Sequence, residues 1–449
     1  MHDITKPEKN RSMTDGPIWS NLIYFAIPLL LGSLFQQFYN TADSLIVGNF
    51  LGDNALAAVS SSSNLIVLLV DLFNGLFTGA GILVANTYGS RDRERLSSAV
   101  HTTVAFGVIV GIVLTILGNL LAPVLLRWMN TPEHVMGESL VYFRIYFSGS
   151  IAFIMYNCCT GILRNVGDSV HPLMYLVLAS LINVVLDMVF VGILHWGIAS
   201  VALATIISQG ISAVLCFRRL CRIKTPYQVF PSKIRLYKGS IGRIMGYGIP
   251  AGVQSSVVAF ANVMVQSSIN IFGAKAIAGC GVGSKLQGFA LLPILSISMA
   301  LGTFVGQNKG AKKYERLKKG TSFGILCCSI WAVFIGLVLF LAAPFLTSLF
   351  SRDPEIIAYS TERAHYIAPF FLLLGVSNCI GGILRGAGKV RESMLIYLVF
   401  WCIIRVAFIT IGLRFFSDIH VVYLSYPVSW FLSTIVFLWL YRRDGWIEN

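Results

Sequence analysis

Charged side chains are scarce in this sequence: Asp, Glu, Lys and Arg make up 12% of its 449 residues, about half the ~25% usual for soluble domains. That shortage excludes a water-facing surface over most of the chain, and with it the two or three soluble domains that length alone suggests. Enzyme signatures are missing too. No His-Glu-x-x-His pair, Gly-x-Ser-x-Gly elbow or phosphate-binding glycine-rich loop occurs, so neither an enzyme nor a cofactor is expected. The nine cysteines form no Cys-x-x-Cys pair, and Cys158-Cys159 and Cys327-Cys328 lie in apolar runs, where thiols serve as small packing residues. A β-barrel wall needs polar alternation at every second residue, which the runs at 104–117 and 330–343 lack.

What the sequence has is apolar length. Apolar residues make up 56% and mean hydropathy is +0.74. A helix crossing a bilayer needs about 20 mostly apolar residues. Twelve such spans read off at 18–42, 54–80, 98–125, 139–162, 172–194, 197–219, 243–270, 276–305, 320–346, 361–384, 392–414 and 420–441. The net charge of +14 follows this pattern and is not a nucleic-acid footprint. Most Lys and Arg fall in alternating connections: Lys6, Lys9 and Arg11, then Arg91, Arg93 and Arg95, the cluster at 218–243, the cluster at 309–319, the group at 385–391, and Arg442 and Arg443. The opposite connections hold Arg127, Lys275, Arg352, Arg363 and Arg414. By the positive-inside rule both termini are cytoplasmic. An even number of spans agrees. The first span is too long for a secretory signal, contains Pro28 and lacks a small-residue cleavage site, so it is read as retained.

The two halves repeat. At one fixed shift Gly161-Ile162-Leu163-Arg164 meets Gly382-Ile383-Leu384-Arg385, Glu94-Arg95-Leu96 meets Glu315-Arg316-Leu317, Gly89 meets Gly310 and Gly167 meets Gly388. One residue further, Ile27-Pro28 meets Ile249-Pro250. Six spans per repeat is even, so both halves enter from the same side and are related by an axis along the membrane normal. The expected fold is an all-α polytopic membrane protein, with twelve transmembrane helices in two pseudo-symmetric six-helix bundles. The expected parts are an N-terminal tail (1–17), a first lobe (18–219), a basic linker (220–242), a second lobe (243–441) and a C-terminal tail (442–449). Rocking of one lobe against the other is the natural motion, with Pro28 and Pro250 as hinge candidates because each removes a helical hydrogen bond. One chain supplies both halves, so a monomer suffices.

Ionisable residues inside spans cost about 2.5–3.5 kcal/mol on insertion scales and face cavities as a rule. Gln36, Asn40 and Asp43 share one stripe of the first span, and Asn183 and Asp187 share one face of the fifth, at i and i+4. Thr205 in the sixth adds a hydroxyl. Such an oxygen set carries a proton, because burial disfavours a charged carboxylate, or ligates a hard cation such as sodium. Asp43 at the outer end of its helix, or Asp187 at an interface, are the plain alternatives. Asp71, Arg144, Lys285 and Arg405 also lie in spans with roles left open. Tyr39, Tyr156, Gln254 and Met264, with Gln36 and Asn40, are candidates for lining a substrate cavity.

These residues together resemble the multidrug and toxic compound extrusion family over about 18–441. The resemblance rests on Ile27-Pro28, on Ala42-Asp43-Ser44 followed by Gly48 and Gly52-x-x-Ala55-Leu56-Ala57-Ala58, and on Gly161–Asp168 with its copy at 382–388. The Asn183-x-x-x-Asp187 pair with Thr205 is similar to the prokaryotic DinF-like branch. The resemblance implies a V-shaped pair of bundles exporting amphipathic, often cationic compounds in exchange for protons or sodium ions. It places the coupling site, with sodium as one candidate ion, on Asp43, Asn183, Asp187 and Thr205. Relatives that use acids in the second lobe are not matched: Val253-Gln254-Ser255-Ser256 and Ser377-Asn378-Cys379 hold no carboxylate. Expected partners are drug-like small molecules and membrane lipids, with no nucleic acid. A lipid-linked precursor flippase of the same wider superfamily is the alternative reading.

Overall fold

Backbone polar groups inside a bilayer must be satisfied within the segment that crosses it, which leaves helices for apolar runs of this length. The computed structural model describes residues 12–128, 131, 133–443 and 445–448, without the side chains at 44, 53, 54, 56–58, 60–65, 67–69, 71, 134 and 448. The helix Ile18–Gly89 is broken at Gly52, whose φ of 83° lies in the left-handed region, into α1 (Ile18–Gly52) and α2 (53–89). There follow α3 (Arg93–Trp128), α4 (Glu133–Ser148 and Ser150–Asn165), α5 (Val170–Ile193), α6 (Ile198–Arg222), α7 (Lys238–Phe272) and α8 (Ala274–Gly310). The chain continues through α9 (Tyr314–Ser348), α10 (Pro354–Gly386), α11 (Val390–Phe415), α12 (His420–Arg442) and a short α13 (Gly445–Glu448). Ten helices are each long and apolar enough to cross a bilayer, and α4, bent 47° at its break, makes an eleventh. With α2 the fold has its twelve.

The helices outrun the apolar spans. The 37 residues of α8 measure about 55 Å at 1.5 Å per residue, against a hydrocarbon core of about 30 Å. Their polar ends, such as Arg93–Ser97, read as loop in the sequence but continue the helix. The repeat is visible in the backbone. Positive φ recurs at Gly52 and Gly273, at Arg91 and Lys312, and at Gly167 and Gly388, each pair related by the same shift that aligns the two halves in sequence. The same turns therefore close the same helices in both halves.

Two apolar cores hold the bundles together. One joins Val47 to Phe143, Ile162, Val201 and Leu220; the other joins Ile294 to Phe304, Phe371, Tyr423 and Trp430. Helix α1 is shared: Leu22, Phe25 and Leu29 belong to the second core, while Ile46 and Val47 belong to the first. Pro28 and Pro250 both lie inside helices that run through them.

The bundles meet on the face that carries the basic connections. A Cβ at Gly89 would strike the Gln307 carbonyl, and a Cβ at Gly310 would strike the Asn86 carbonyl. The repeat shift carries Gly89 onto Gly310 and Asn86 onto Gln307, so this contact is self-complementary across the pseudo-twofold axis. Residues 12–16 strap the same joint. The Met13 N–H donates to Gln307 Oε1 at 2.9 Å, Asn308 Nδ2 donates to the Met13 carbonyl at 3.2 Å, and Arg316 Nη1 donates to the Gly16 carbonyl at 2.6 Å. Gln307 Nε2 donates in turn to the Asn165 carbonyl at 2.8 Å, tying in the first bundle. Asp15 pairs with Lys313 at 2.7 Å and with Arg91 of the first half at 3.5 Å. At the other terminus Trp446 and Ile447 of α13 are buried, and Lys309 Nζ donates to the Trp446 carbonyl at 2.9 Å.

The Lys313 ammonium beside Asp15 holds its carboxyl below the usual carboxylate range. A depressed value means that the ion pair contributes fully above the ordinary carboxylate pKa of about 3.9 and is lost as pH falls through the lower folded value. Hydrogen exchange of residues 12–16, corrected for intrinsic rate, is expected to stay flat from pH 8 to 5 and to accelerate only below about pH 4. Asp15→Asn is expected to remove the acid-dependent part. The effect is modest because the pair is largely exposed. Equal acceleration in both proteins would show that the pair does not hold the strap.

Candidate ion-coupling site in the first bundle

Helix α1 continues past Asp43 to Gly52, so Asp43 lies about 13 Å short of the helix end. It is an interior residue and not the helix end that the alternative reading allowed. Helix α5 aims Asn183 and Asp187 inward from one face, and both are fully buried. Directly after Asp187 the helix widens into a π segment, Met188–Ile193. Such segments cluster at functional sites because they turn side chains out of the regular α register.

The carboxyl groups of Asp43 and Asp187 lie within hydrogen-bonding reach of each other. In the amide orientation that satisfies both neighbours, Asn183 Nδ2 donates to Asp187 Oδ2 at 2.9 Å and its Oδ1 accepts from the Thr205 backbone N–H at 3.3 Å. Thr205, itself buried, donates to the Val201 carbonyl at 3.1 Å and lies near the Tyr39 phenol. The four residues that the sequence singled out for coupling therefore converge, from α1, α5 and α6. Two members were missed. Tyr142 and Tyr146 of α4, with ring centroids 6.4 Å apart, lie in the neighbourhood of Asp43. In sequence they read as packing aromatics one helical turn apart.

What the cluster lacks defines its chemistry. One oxygen of each acid, Asp43 Oδ1 and Asp187 Oδ1, is buried with no hydrogen-bond partner, and neither acid pairs with a base among the described residues. Two adjacent carboxylates without a counter-charge, Asp187 buried and Asp43 half-buried, repel each other strongly where the dielectric is low. A proton shared between them, or a small cation ligated by them, removes that repulsion. Asp43, Asp187, Asn183 and Thr205 supply only oxygen donors to such an ion, and these suit a proton or sodium better than a soft metal.

The other candidates are scattered. Gln36 and Asn40 are exposed on α1. Tyr156 is buried deeper in the first bundle, where its hydroxyl donates to the Pro172 carbonyl at 3.4 Å. Gln254 of α7 accepts from Ser393 Oγ at 3.2 Å, and Met264 is half-buried on the same helix. Arg144 and Lys285 are exposed, and the Asp71 side chain lies outside the described residues. Arg363 departs from the charge reading. It is not in a connection but buried inside α10, where Nη2 donates to Gln287 Oε1 at 2.8 Å and Nη1 to the Cys280 carbonyl at 3.3 Å. Charge counting misplaced it because it lies at the very start of the apolar span read from sequence.

Two parallel six-helix bundles, with an acid pair inside one of them, define a duplicated membrane transporter, which is not an enzyme. A family model described as MatE matches residues 28–189 and again residues 250–411. The chain belongs to that family, the multidrug and toxic compound extrusion transporters, and is a multi-pass membrane protein. It is 29% identical over 98% of its length to the probable multidrug resistance protein YoeA of Bacillus subtilis, covering 97% of that relative. It is 25% identical over 85% of its length to the probable multidrug resistance protein NorM of Thermotoga maritima, covering 83% of it. The fold also matches a solved transporter of the MOP superfamily from Pyrococcus furiosus, with a TM-score of 0.91, 22% identity and coverage of 99% of this chain and 100% of that one.

The two family matches start on the equivalent prolines Pro28 and Pro250. At the shift of 221 that aligns Gly167 with Gly388, Asp43, Asn183, Asp187 and Thr205 fall on Met264, Ile404, Phe408 and Tyr426, none of them an acid. Arg405 is buried, its Nη2 donates to Ser429 Oγ at 2.7 Å, and its guanidinium lies 4.6 Å from the Tyr426 ring centroid. The second lobe thus has no acid where the first has its oxygen cluster, and a buried cation, Arg405, close by.

Proposed function

We propose that this chain is a secondary active exporter of amphipathic, often cationic compounds, driven by inward flow of protons or sodium ions. The observation that carries the reading is the pair of acids, Asp187 buried and Asp43 half-buried, each with a buried unpartnered oxygen and neither with a base. The names of the relatives supply the class of cargo. The coupling ion binds between Asp43 and Asp187 from the outer side and changes the charge of the first lobe, favouring release of a cationic cargo. The lobes, 18–219 and 243–441, then rock against each other, with Pro28 and Pro250 as flexible points. The ion leaves on the opposite side. One monomer in a prokaryotic plasma membrane, with both termini cytoplasmic, performs the cycle. The glycine contact and the strap, which close the basic face, support access from the other side in this conformation.

The test is uptake of a cationic dye into proteoliposomes, with a pH gradient and a sodium gradient imposed separately. The expected result is dye movement that requires one gradient and collapses when an ionophore dissipates it. Dye movement unaffected by either gradient, or none at all from folded protein, would overturn ion-coupled drug export.

A further inference from the structure

The start of α3 and the linker before α7 enclose a groove of about 480 Å³ lined by Arg93, Glu94, Ser97, Ser98, Lys233 and Arg235, with Ser232 and Tyr237 completing its wall. Grooves of ~300–1,000 Å³ hold small-molecule groups. Its linker wall is fixed in place. The Phe230 N–H donates to His101 Nε2 at 2.9 Å, the Tyr237 N–H donates to Thr102 Oγ1 at 3.2 Å, and the Ser98 and Ser240 hydroxyls are 2.8 Å apart. Buried His101 is held by the Ser97 carbonyl at 2.7 Å from Nδ1. A basic connection that served only to set topology would need none of these ties.

The charges in the groove are unbalanced. Arg93, Lys233 and Arg235 make no ion pair with any acid among the described residues, although Glu94 lies in the same wall. Lys233 and Arg235 rest instead on aromatic faces, 5.1 Å from the Phe230 centroid and 4.7 Å from the Tyr237 centroid. Both side chains are thereby held in position with their N–H donors free. Beside these cations Phe230 and Leu236 are exposed, at 42% and 44%. Exposed apolar side chains next to fixed cations, at the mouth of a membrane helix bundle, match the polarity of a bilayer interface: acyl chain on one side, head group on the other.

We propose that this groove binds the phosphodiester head group of an anionic glycerophospholipid. The guanidinium groups of Arg93 and Arg235 and the Lys233 ammonium meet the phosphate oxygens, Ser97, Ser98 and Glu94 meet hydroxyls of the head group, and Phe230 and Leu236 lie along the acyl chains. The bound lipid joins the linker to α3, and so fixes the connection between the two lobes to the first of them.

The experiment uses the full-length protein in detergent, titrated with pyrene-labelled phosphatidylglycerol and, separately, with pyrene-labelled phosphatidylcholine. The expected result is saturable binding of phosphatidylglycerol and at least tenfold weaker binding of phosphatidylcholine. With the contribution of a basic residue near a membrane surface as a guide, Arg93→Gln/Lys233→Gln/Arg235→Gln should weaken phosphatidylglycerol binding by roughly a hundredfold. Arg93→Gln alone should weaken it by about fivefold. A charge-matched variant on the same face, Lys312→Gln/Lys319→Gln/Arg442→Gln, should bind like wild type. Equal loss in the two triple variants would mean that bulk charge alone attracts the lipid, and would overturn the site. Displacement of the lipid by millimolar inorganic phosphate would overturn the lipid assignment in favour of a free phosphate. Because all three mutated cations are exposed, loss of fold is not an expected outcome, and an unchanged melting temperature checks it.

Discussion

Asp43→Asn combined with Asp187→Asn is expected to end gradient-driven export while leaving a folded protein in the membrane. The amide keeps the size of the carboxyl but carries no charge at any pH, so it neither takes up a transported proton nor neutralises a sodium ion. Folding should not suffer. The native acids already lack a basic partner, and each leaves one oxygen without a hydrogen bond, so no ion pair is broken; a neutral amide is also cheaper to hold in the membrane than a charge. What disappears is the free-energy link between ion and cargo. Such couplings are typically worth about 1–3 kcal/mol, so transport against a cargo gradient should fall roughly 5–150-fold. The single variants should each approach the double, because two groups in contact titrate and ligate as a unit. Cargo binding measured without a gradient should survive in all three. The checking measurement is dye transport in proteoliposomes beside dye binding in detergent. A double variant that still exports dye only when a gradient is present would remove the acid pair from the mechanism.

The sequence shows the outline of this site more readily than its walls. Asn183 and Asp187 could be placed on one face because i and i+4 positions must share it, and Asp43 and Thr205 stood out because a polar residue in a long apolar run needs a reason. Their convergence from three helices depends on how those helices pack, which no local pattern encodes. Tyr142 and Tyr146 illustrate the limit: a tyrosine in a membrane helix is ordinary, and only the position of α4 beside α1 makes them neighbours of Asp43. Helix number and the internal repeat were legible because hydropathy and fixed-shift identities are properties of the chain itself. Helix ends were not, since Arg93 and Lys309 continue their helices beyond the hydrocarbon, where the apolar signal stops. The sharing of α1 between the two cores was equally invisible: Leu22 and Val47 look alike in sequence but pack in different bundles.

Gly89→Leu is expected to abolish transport by a different route, through the joint between the lobes. The Gly89 Cα sits so close to the Gln307 backbone that an added Cβ would overlap its carbonyl oxygen, and the mirrored contact places Gly310 against the Asn86 carbonyl. Backbone atoms on both sides leave no flexible side chain to move aside. A larger residue therefore opposes closure of this face, while an open conformation, in which α2 and α8 separate, relieves the clash. Overpacking of this kind costs about 1–3 kcal/mol, which shifts a two-state balance by roughly 5–150-fold. Gly310→Leu should act equally, because the two contacts are related by the pseudo-twofold axis. The double variant should add little to either one, since one obstruction already keeps the face open. The strap supplies an independent reading: Met13 is held by Gln307 and Asn308, so hydrogen exchange across residues 12–16 should accelerate as transport falls. Gly246→Leu, on α7 with open space around the new Cβ, should change neither. If Gly89→Leu abolished transport while the strap stayed protected, closure of this face would not be the step it blocks. Full transport in Gly89→Leu would mean that the cycle does not pass through this glycine contact at all.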